Sequence, residues 1–203
     1  HRKIIEKDFF LDFLKSADSN KNKLINIKKN HINSNFVINY IKNNKPDLLI
    51  TFGCSIIKND LIKIMKDKII NIHLGISPYY LGSATNYHAL VNGDFHLVGY
   101  TFMYLNKGID TGEIIHQGRA DIYLGDNSHQ IGNRLIKKMT YDMLSLLKNF
   151  KKIKPKKQTV FKNSKVYKKK DFTTKSLNRL FTNLSNLNNA KKYINKKNRL
   201  EKK

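Results

Sequence analysis

The hydrophobic and polar positions along the chain alternate between short apolar runs and amphipathic stretches. The short runs predict buried strands over residues 24–27, 48–52, 68–72, 98–104 and 113–117. Apolar residues at helical spacing predict helices over residues 7–14, 35–45, 59–65, 85–91, 126–150 and 174–187. Alternating strands and helices are typical of sheets built from βαβ units, so we expect an α/β fold with a mostly parallel sheet flanked by helices.

Composition divides the chain into two parts. Its 203 residues, 40% of them hydrophobic, suffice for one domain of about 150 residues with an extension. The formal net charge is +24, but residues 151–203 hold 19 basic and 2 acidic residues, and the first 150 carry only +7. We therefore expect a domain over residues 1–150 and a basic C-terminal extension over residues 151–203, either helical or disordered.

The basic extension has two explanations. It can be an arm that follows phosphates, in RNA or in a nucleotide-linked substrate. It can equally be a solvated surface in a sequence rich in Lys, Asn and Ile throughout, and this compositional explanation is the one we favour. RNA therefore stays open as a partner of the extension.

Several classes of protein and site are disfavoured by the sequence. The longest apolar runs are far shorter than the roughly 18 residues of a membrane span. The single cysteine, Cys54, cannot form an internal disulfide and fits a reducing, cytoplasmic setting. The sequence has no complete dinucleotide or Walker glycine motif and no paired histidine spacing, so we expect neither NAD, ATP nor a metal ion.

Candidate chemistry begins at the strand over residues 68–72. Asn71 and His73 are two residues apart and therefore point to the same face of this strand. The loop that follows contains Gly75, Pro78 and Gly82, which end regular structure and let the backbone approach a ligand closely. In open α/β sheets, ligands bind at the carboxyl ends of strands.

A carboxylate can join this pair from another loop. Asp110 lies in a turn bracketed by Gly108 and Gly112, between the strands predicted over 98–104 and 113–117. An amide, an imidazole and a carboxylate are suited to the attack of an amine on a formyl group. Taken singly, these residues also allow a strand-end hydrogen bond, a buried imidazole and an Asx turn.

The motifs as a set resemble the folate-dependent formyltransferase family, which includes methionyl-tRNA, glycinamide ribonucleotide and amino-sugar enzymes. The matching pieces, over about residues 34–140, are residues 71–73, Pro78, Gly82, residues 91–94 and residues 108–114. The resemblance implies a Rossmann-like sheet. Family members start with a strand, loop and helix that this sequence does not show before residue 24, so we expect an N-terminal truncation that removes one or two strands.

The resemblance also implies a mechanism with 10-formyltetrahydrofolate as the formyl donor and no metal. Asn71 and a protonated His73 would stabilise the oxyanion that forms when the amine adds, and losing one such donor typically costs ~2.7–4 kcal/mol. Asp110, directly or through a water, would accept the amine proton and keep His73 charged.

The folate pocket implied by the resemblance is lined by residues from three segments: Gly53, Cys54, Ser55, Ile56, Ile57, Gly75, Ile76, Ser77, Pro78 and Ile109. The chain departs from the family in the second segment. Many members have Ser where Gly75 stands and Leu where Ser77 stands.

The acceptor implied by the resemblance is a primary amine on an amino-sugar nucleotide. Methionyl-tRNA is the alternative, although only 53 residues follow Phe150, too few for the β-barrel that tRNA enzymes usually carry there. A non-catalytic, basic RNA-binding protein on the same scaffold is a third hypothesis. Cys54 as a nucleophile is disfavoured, because nothing in the sequence places a base beside it.

Overall fold

A computed structural model describes residues 2–18, 24–65, 68–159, 164–186, 188 and 191–193. The helices are α1 (Arg2–Phe9), α2 (Leu11–Asp18), α3 (Asn35–Asn44), α4 (Asn59–Met65), α5 (Thr85–Asn92), α6 (Ser128–Lys148) and α7 (Thr174–Ser185). The strands are β1 (Leu49–Phe52), β2 (Ile69–His73), β3 (Tyr80–Gly82), β4 (Gly99–Tyr104), β5 (Ile114–Arg119) and β6 (Lys165–Tyr167). Among the described helices, none is long and apolar enough to cross a membrane.

The main sheet has the strand order β1-β2-β4-β5, and the α/β class with a Rossmann-like sheet flanked by helices is confirmed. The β1–β2 pair is parallel, whereas the β2–β4 and β4–β5 pairs are antiparallel. The described sheet is therefore mixed, which corrects the expectation of a mostly parallel one. For β4 and β5 the physical reason is their short connection, since a short turn joins only antiparallel strands.

The core lies between this sheet and α6. Tyr100 and Phe102 of β4 are fully buried, and they pack in one cluster with the apolar face of α6, which carries Ile131 and Leu135. The predicted helix over residues 126–150 is thus present in slightly shorter form. Asn127 caps it, rather than Asp126 or Ser128, because its side chain accepts hydrogen bonds from two backbone N–H groups of the first turn.

Three local expectations differ from the structure. Residues 24–27 form no strand, and Leu24 is largely exposed. The helix predicted over residues 7–14 is part of two helices, α1 and α2. The strands β3 and β6 were not predicted, because a strand of three residues is too short to show an alternating pattern. The end of the last predicted helix, residue 187, lies outside the described residues.

The described part of the basic extension packs against the rest of the fold. β6 pairs in parallel with β3, and α7 lies against α5. Asn183 of α7 donates to the carbonyl oxygens of Leu90 and Val91, at 3.0 and 2.8 Å. The hydroxyl groups of Tyr87 and Ser176 are 2.7 Å apart. The division of the chain at residue 150 stays a prediction.

Candidate active site

The structure brings Asn71, His73 and Asp110 together. β2 presents the first two on one face, and Asp110 reaches them from the loop between β4 and β5. Asn71 Nδ2 donates to Asp110 Oδ1 at 3.2 Å, and His73 Nδ1 lies 3.3 Å from Asp110 Oδ2. The carboxylate therefore joins the amide and the imidazole in one hydrogen-bonded cluster.

The orientation of the Asn71 amide is set by β1. Thr51 lies opposite Asn71 in the parallel β1–β2 register, and its hydroxyl donates to Asn71 Oδ1 at 3.0 Å. The amide oxygen is thus occupied, and one of the two Nδ2 protons points to Asp110. The second Nδ2 proton is left for an acceptor atom of a bound molecule.

His73 is buried, and both of its ring nitrogens face acceptors. Nε2 lies 2.8 Å from the carbonyl oxygen of Tyr80, and Nδ1 faces the Asp110 carboxylate. Because a carbonyl oxygen accepts only, Nε2 carries a proton. An imidazolium satisfies both neighbours at once, and in this arrangement its two N–H groups are both engaged within the protein.

Asp110 is held by residues outside its own turn. Besides the cluster contacts, its Oδ2 accepts a hydrogen bond from the backbone N–H of Gly82 at 2.8 Å. The turn itself is stabilised by the side chain of Asn106. Its Oδ1 accepts hydrogen bonds from Gly108 N and Thr111 Oγ1, both at 3.0 Å. Asp110 adopts a left-handed backbone with φ 53°, which is strained for most residues and aims its carboxylate at β2.

Gly75 explains one departure from the family pattern. A Cβ atom at this position would lie 2.5 Å from His73 Nε2 and 2.6 Å from Thr85 Oγ1, closer than Cβ atoms approach other heavy atoms in proteins. Its carbonyl oxygen accepts from the buried Thr101 hydroxyl at 2.7 Å, which fixes the start of the loop. The loop as packed here therefore accepts glycine but not serine.

The predicted folate-lining residues lie in three environments. At the end of β1, Gly53 has φ 62°, Cys54 is exposed and Ile56 is 79% exposed. Because β1 and β2 are neighbouring parallel strands, this turn lies at the same edge of the sheet as His73. Ser55 Oγ donates to Asn30 Oδ1 at 3.0 Å, while Ile57 packs against the cluster between α3 and α4.

The other predicted lining residues include both exposed and buried ones. Ile109, beside Asp110, is 49% exposed and Pro78 is half-buried, so both are accessible from solvent. Ile76 and Ser77 are each only 1% exposed, and their side chains face the interior of the protein. A groove of about 540 Å³ borders the Asp110 turn, lined by Tyr104, Leu105, Asn106, Thr111, Gly112, Glu113, Lys157 and Gln158.

Buried polar groups behind the cluster have perturbed acidities. Burial, reinforced by its hydrogen bond to Asp94, raises the pKa of Tyr80 well above its usual range. Burial also lowers the pKa of His88, so this imidazole favours its neutral form. In the part of the chain that the structure describes, no group of three or more His, Cys, Asp or Glu residues is arranged to hold a metal ion.

Sequence reasoning missed several residues that hold the cluster. Thr51 and the Tyr80 carbonyl contact Asn71 and His73 directly, and Gln158 donates to the carbonyl oxygen of Asp110 at 3.0 Å. For Thr51 a signal existed, because the pairing of two predicted strands can place it beside Asn71. Gln158 lies 48 residues from Asp110 and carried no local signal.

Comparison with known proteins identifies the relatives of this chain. The formyl transferase family profile matches residues 13–147. A methionyl-tRNA formyltransferase of Endomicrobium trichonymphae is 36% identical over 102 residues, which cover 49% of this chain and 32% of that protein. The chain thus spans about a third of the length of this relative.

Two solved structures of sugar-modifying enzymes share the fold. The formyltransferase PseJ of Anoxybacillus kamchatkensis is 24% identical and superimposes with a TM-score of 0.53 over 81% of this chain and 82% of its own. The sugar N-formyltransferase WlaRD is 28% identical, with a TM-score of 0.52 over 61% of this chain and 44% of its own. With the family profile matching about two thirds of its residues, the chain belongs to the formyl transferase family.

Proposed function

We propose that this protein transfers a formyl group from 10-formyltetrahydrofolate to a primary amine on an amino-sugar nucleotide. The observation that carries the proposal is the cluster in which Asp110 contacts both Asn71 and His73 at the edge of the sheet. Such a cluster offers a hydrogen-bond donor and an imidazole that can carry a positive charge, each in contact with the carboxylate that can accept a proton. These are the three requirements of amine formylation.

The reaction follows from these groups. The amine nitrogen adds to the formyl carbon, and the carbonyl oxygen becomes an oxyanion. The free Nδ2 proton of Asn71 binds that oxygen, and the charge of a protonated His73 stabilises it without direct donation, since both ring N–H groups are engaged. Asp110 accepts the proton of the amine, directly or through a water. The bond between the carbon and N10 of the folate then breaks, and N10 takes up the proton that Asp110 accepted, directly or through a water.

No covalent enzyme intermediate is needed. The thiol of Cys54 lies in the exposed turn after β1 and donates a long hydrogen bond, 3.8 Å, to the carbonyl oxygen of Phe52. A nucleophilic thiol needs a base within hydrogen-bonding reach. We therefore give Cys54 no chemical role, and we assign the turn over residues 53–57 to the face of the pterin.

Two observations support the sugar acceptor. WlaRD, which is described as a sugar 3N-formyltransferase and was solved with dTDP and 5-N-formyl-THF, is 28% identical to this chain. PseJ, whose fold match extends over four fifths of both chains, was solved in complex with a UDP-linked formamido sugar and tetrahydrofolate. A nucleotide-linked sugar would carry the phosphates that a basic surface attracts.

Methionyl-tRNA is the second candidate acceptor. It is favoured by the 36% identity to the tRNA enzyme of Endomicrobium trichonymphae and by the net charge of the basic extension. If tRNA is the acceptor, transfer should weaken steeply as salt rises, because each neutralised phosphate releases counterions.

The proposal is tested by the release of tetrahydrofolate from 10-formyltetrahydrofolate. The intact protein is assayed with nucleotide-linked amino sugars, glycinamide ribonucleotide and charged initiator tRNA, each beside His73→Ala. We expect release that depends on an amino-sugar nucleotide and is lost in the variant. Release with charged tRNA alone would make tRNA the acceptor in place of the amino-sugar nucleotide. Absence of both release and folate binding would overturn the proposal.

A further inference from the structure

Both ionisable members of the cluster are held by the backbone of one short strand. The Tyr80 carbonyl oxygen faces His73 Nε2 at 2.8 Å, and the Gly82 N–H donates to Asp110 Oδ2 at 2.8 Å. β3, which contains both residues, is only three residues long. A strand so short keeps its position only if something pairs with it or packs on it, so its neighbours control the distance between imidazole and carboxylate.

β6 is the strand that pairs with β3. The register sets Tyr80 opposite Lys165 and Gly82 opposite Tyr167, and the pairing continues beyond β3, where Ser83 N donates to the Tyr167 carbonyl oxygen at 2.9 Å. The two backbones are close, because a Cβ at Gly82 would lie 2.3 Å from that oxygen. β6 therefore fixes β3 directly beside the groups that hold His73 and Asp110.

The side chain of Tyr167 reinforces this pairing. It is buried, and its ring stacks on Tyr80 at 5.6 Å with an 8° tilt and on His88 at 4.1 Å with a 16° tilt. Asn92 Nδ2 donates to the hydroxyl oxygens of Tyr80 and Tyr167, both at 3.0 Å. Tyr80 is thus fixed by its backbone, its ring and its hydroxyl, and its carbonyl oxygen cannot move without disturbing Tyr167.

A second segment holds Asp110 from its other side. Lys156 exchanges two backbone hydrogen bonds with Ile114, at 2.8 and 2.7 Å, which places Gln158 over the Asp110 turn. Gln158 Nε2 donates to the carbonyl oxygens of Asp110 and Gly112, at 3.0 and 2.5 Å. These bonds hold the strained left-handed backbone that aims the carboxylate at β2.

We propose that Tyr167 and Gln158, both beyond residue 150, are positioning residues that set the geometry between His73 and Asp110. The inference rests on the proposed function for the meaning of that geometry. Tyr167 acts through its ring stack on Tyr80 and Gln158 through its hydrogen bond to the Asp110 backbone, so both act through position. A shift of about 1 Å in a reacting group can cost on the order of 10²-fold in rate, so the loss of either support should lower kcat.

Tyr167 is tested by two substitutions and a matched control. Tyr167→Phe keeps the ring stack and loses only the hydroxyl, so we expect kcat within a fewfold of the unmodified protein. Tyr167→Leu loses the stack, and we expect kcat to fall on the order of 10- to 100-fold with the acceptor KM almost unchanged. The control is Tyr193→Leu, which removes an equally buried tyrosine whose hydroxyl donates to the Ala120 carbonyl oxygen at 2.6 Å.

Gln158 provides a second test that does not disturb the core. Gln158→Met keeps the length of the side chain without the donor, and Gln158→Glu sets a carboxylate against two carbonyl oxygens. We expect both to lower kcat and change its pH dependence, Glu more than Met. The control is Gln130→Met, because Gln130 is an amide of the α6 cap. Both controls should lower the melting temperature without changing the pH dependence of kcat.

A readout independent of turnover separates this inference from the proposed function. The ring proton resonances of His73, assigned by their loss in His73→Ala, are followed by NMR through a pH titration. We expect Tyr167→Leu and Gln158→Met to shift these resonances and the controls to leave them in place. If the unmodified protein neither releases tetrahydrofolate with any acceptor nor binds folate, the proposed function fails while the titration still decides the inference. Unchanged kcat, pH dependence and resonances in both variants would overturn the inference.

Discussion

The two parallel strands of the described sheet, β1 and β2, end in contrasting ways. β2 ends in a buried polar cluster. His73 and Asp110 are only 6% and 11% exposed there, and they contact each other and the backbone of β3. β1 ends in an open turn with Cys54 exposed and Ile56 79% exposed. Fixed, desolvated groups suit the stabilisation of a developing charge. An open turn with apolar side chains suits the face of a flat ligand, so binding and chemistry are divided between neighbouring strands.

The largest effect on activity is expected when the proton acceptor of the cluster is removed. Asp110→Asn keeps the size of the side chain but removes the charge. We expect kcat to fall by ~10²–10⁴, the usual contribution of general base catalysis, while folate binding at the β1 turn changes little. Stopped assays of tetrahydrofolate release together with a folate titration measure both. Nearly full activity would mean that another group accepts the proton.

Gly75 tests how closely the cluster is packed. Gly75→Ser, which restores the residue of many family members, introduces a Cβ about where the His73 and Thr85 side chains already lie. We expect kcat to fall on the order of 10-fold or more and unfolding to become easier by ~1–3 kcal/mol, the usual cost of overpacking. Denaturant unfolding and the release assay measure these effects.

The matched control for Gly75 is Gly132→Ser. A Cβ at Gly132, within α6, meets nothing within 4 Å, so the same substitution adds no clash there. We expect unchanged kcat and no loss of stability from steric overlap. Equal effects of the two substitutions would show that the Gly75 loop has room to relax, and that its tight packing does not set the position of His73.

Much of the fold could be predicted because its elements are long or strongly patterned. The apolar face of α6 and the runs of β1, β2 and β4 were recognised, and each has the expected type. β3 and β6 could not be found, since three residues show no periodicity and their pairing joins positions 85 residues apart. The strand expected over residues 24–27 is absent because a short apolar run forms a strand only when another strand pairs with it.

The candidate site shows the same limit. Asn71 and His73 lie on one strand, so their common face follows from periodicity alone. The position of Asp110 followed from the glycine-bracketed turn together with the family resemblance. Gln158 and Tyr167 were assigned to a basic extension on charge, and charge counts report the solvated face of a segment and not the side chains that it buries. The supports of a site are therefore harder to predict than the groups that they support.

Thr51 links the two strands, because this residue of β1 donates a hydrogen bond to Asn71 of β2. Thr51→Val removes the hydroxyl that donates to Asn71 Oδ1, so the amide keeps its bond to Asp110 but loses this partner of its oxygen. A single neutral hydrogen bond is worth about 0.5–1.5 kcal/mol, so we expect kcat to fall roughly 2- to 12-fold. Thr51→Ser, which keeps the hydroxyl, should restore most of the activity. If both variants are equally impaired, packing rather than the hydrogen bond is responsible.

The smallest effect is expected at the β1 turn itself. Cys54→Ala removes an exposed thiol from the segment assigned to the pterin face, where the backbone and not the side chain is expected to contact the ligand. We expect kcat within twofold and a folate affinity close to that of the unmodified protein, because a thiol outside the cluster contributes no charge to the transition state. The measurement is tetrahydrofolate release by the alanine variant, and by the unmodified protein before and after its thiol is alkylated with a small reagent. A loss of kcat above tenfold in the alanine variant, with folate binding intact, would make Cys54 part of the chemistry and would end the division of roles between the two strand ends.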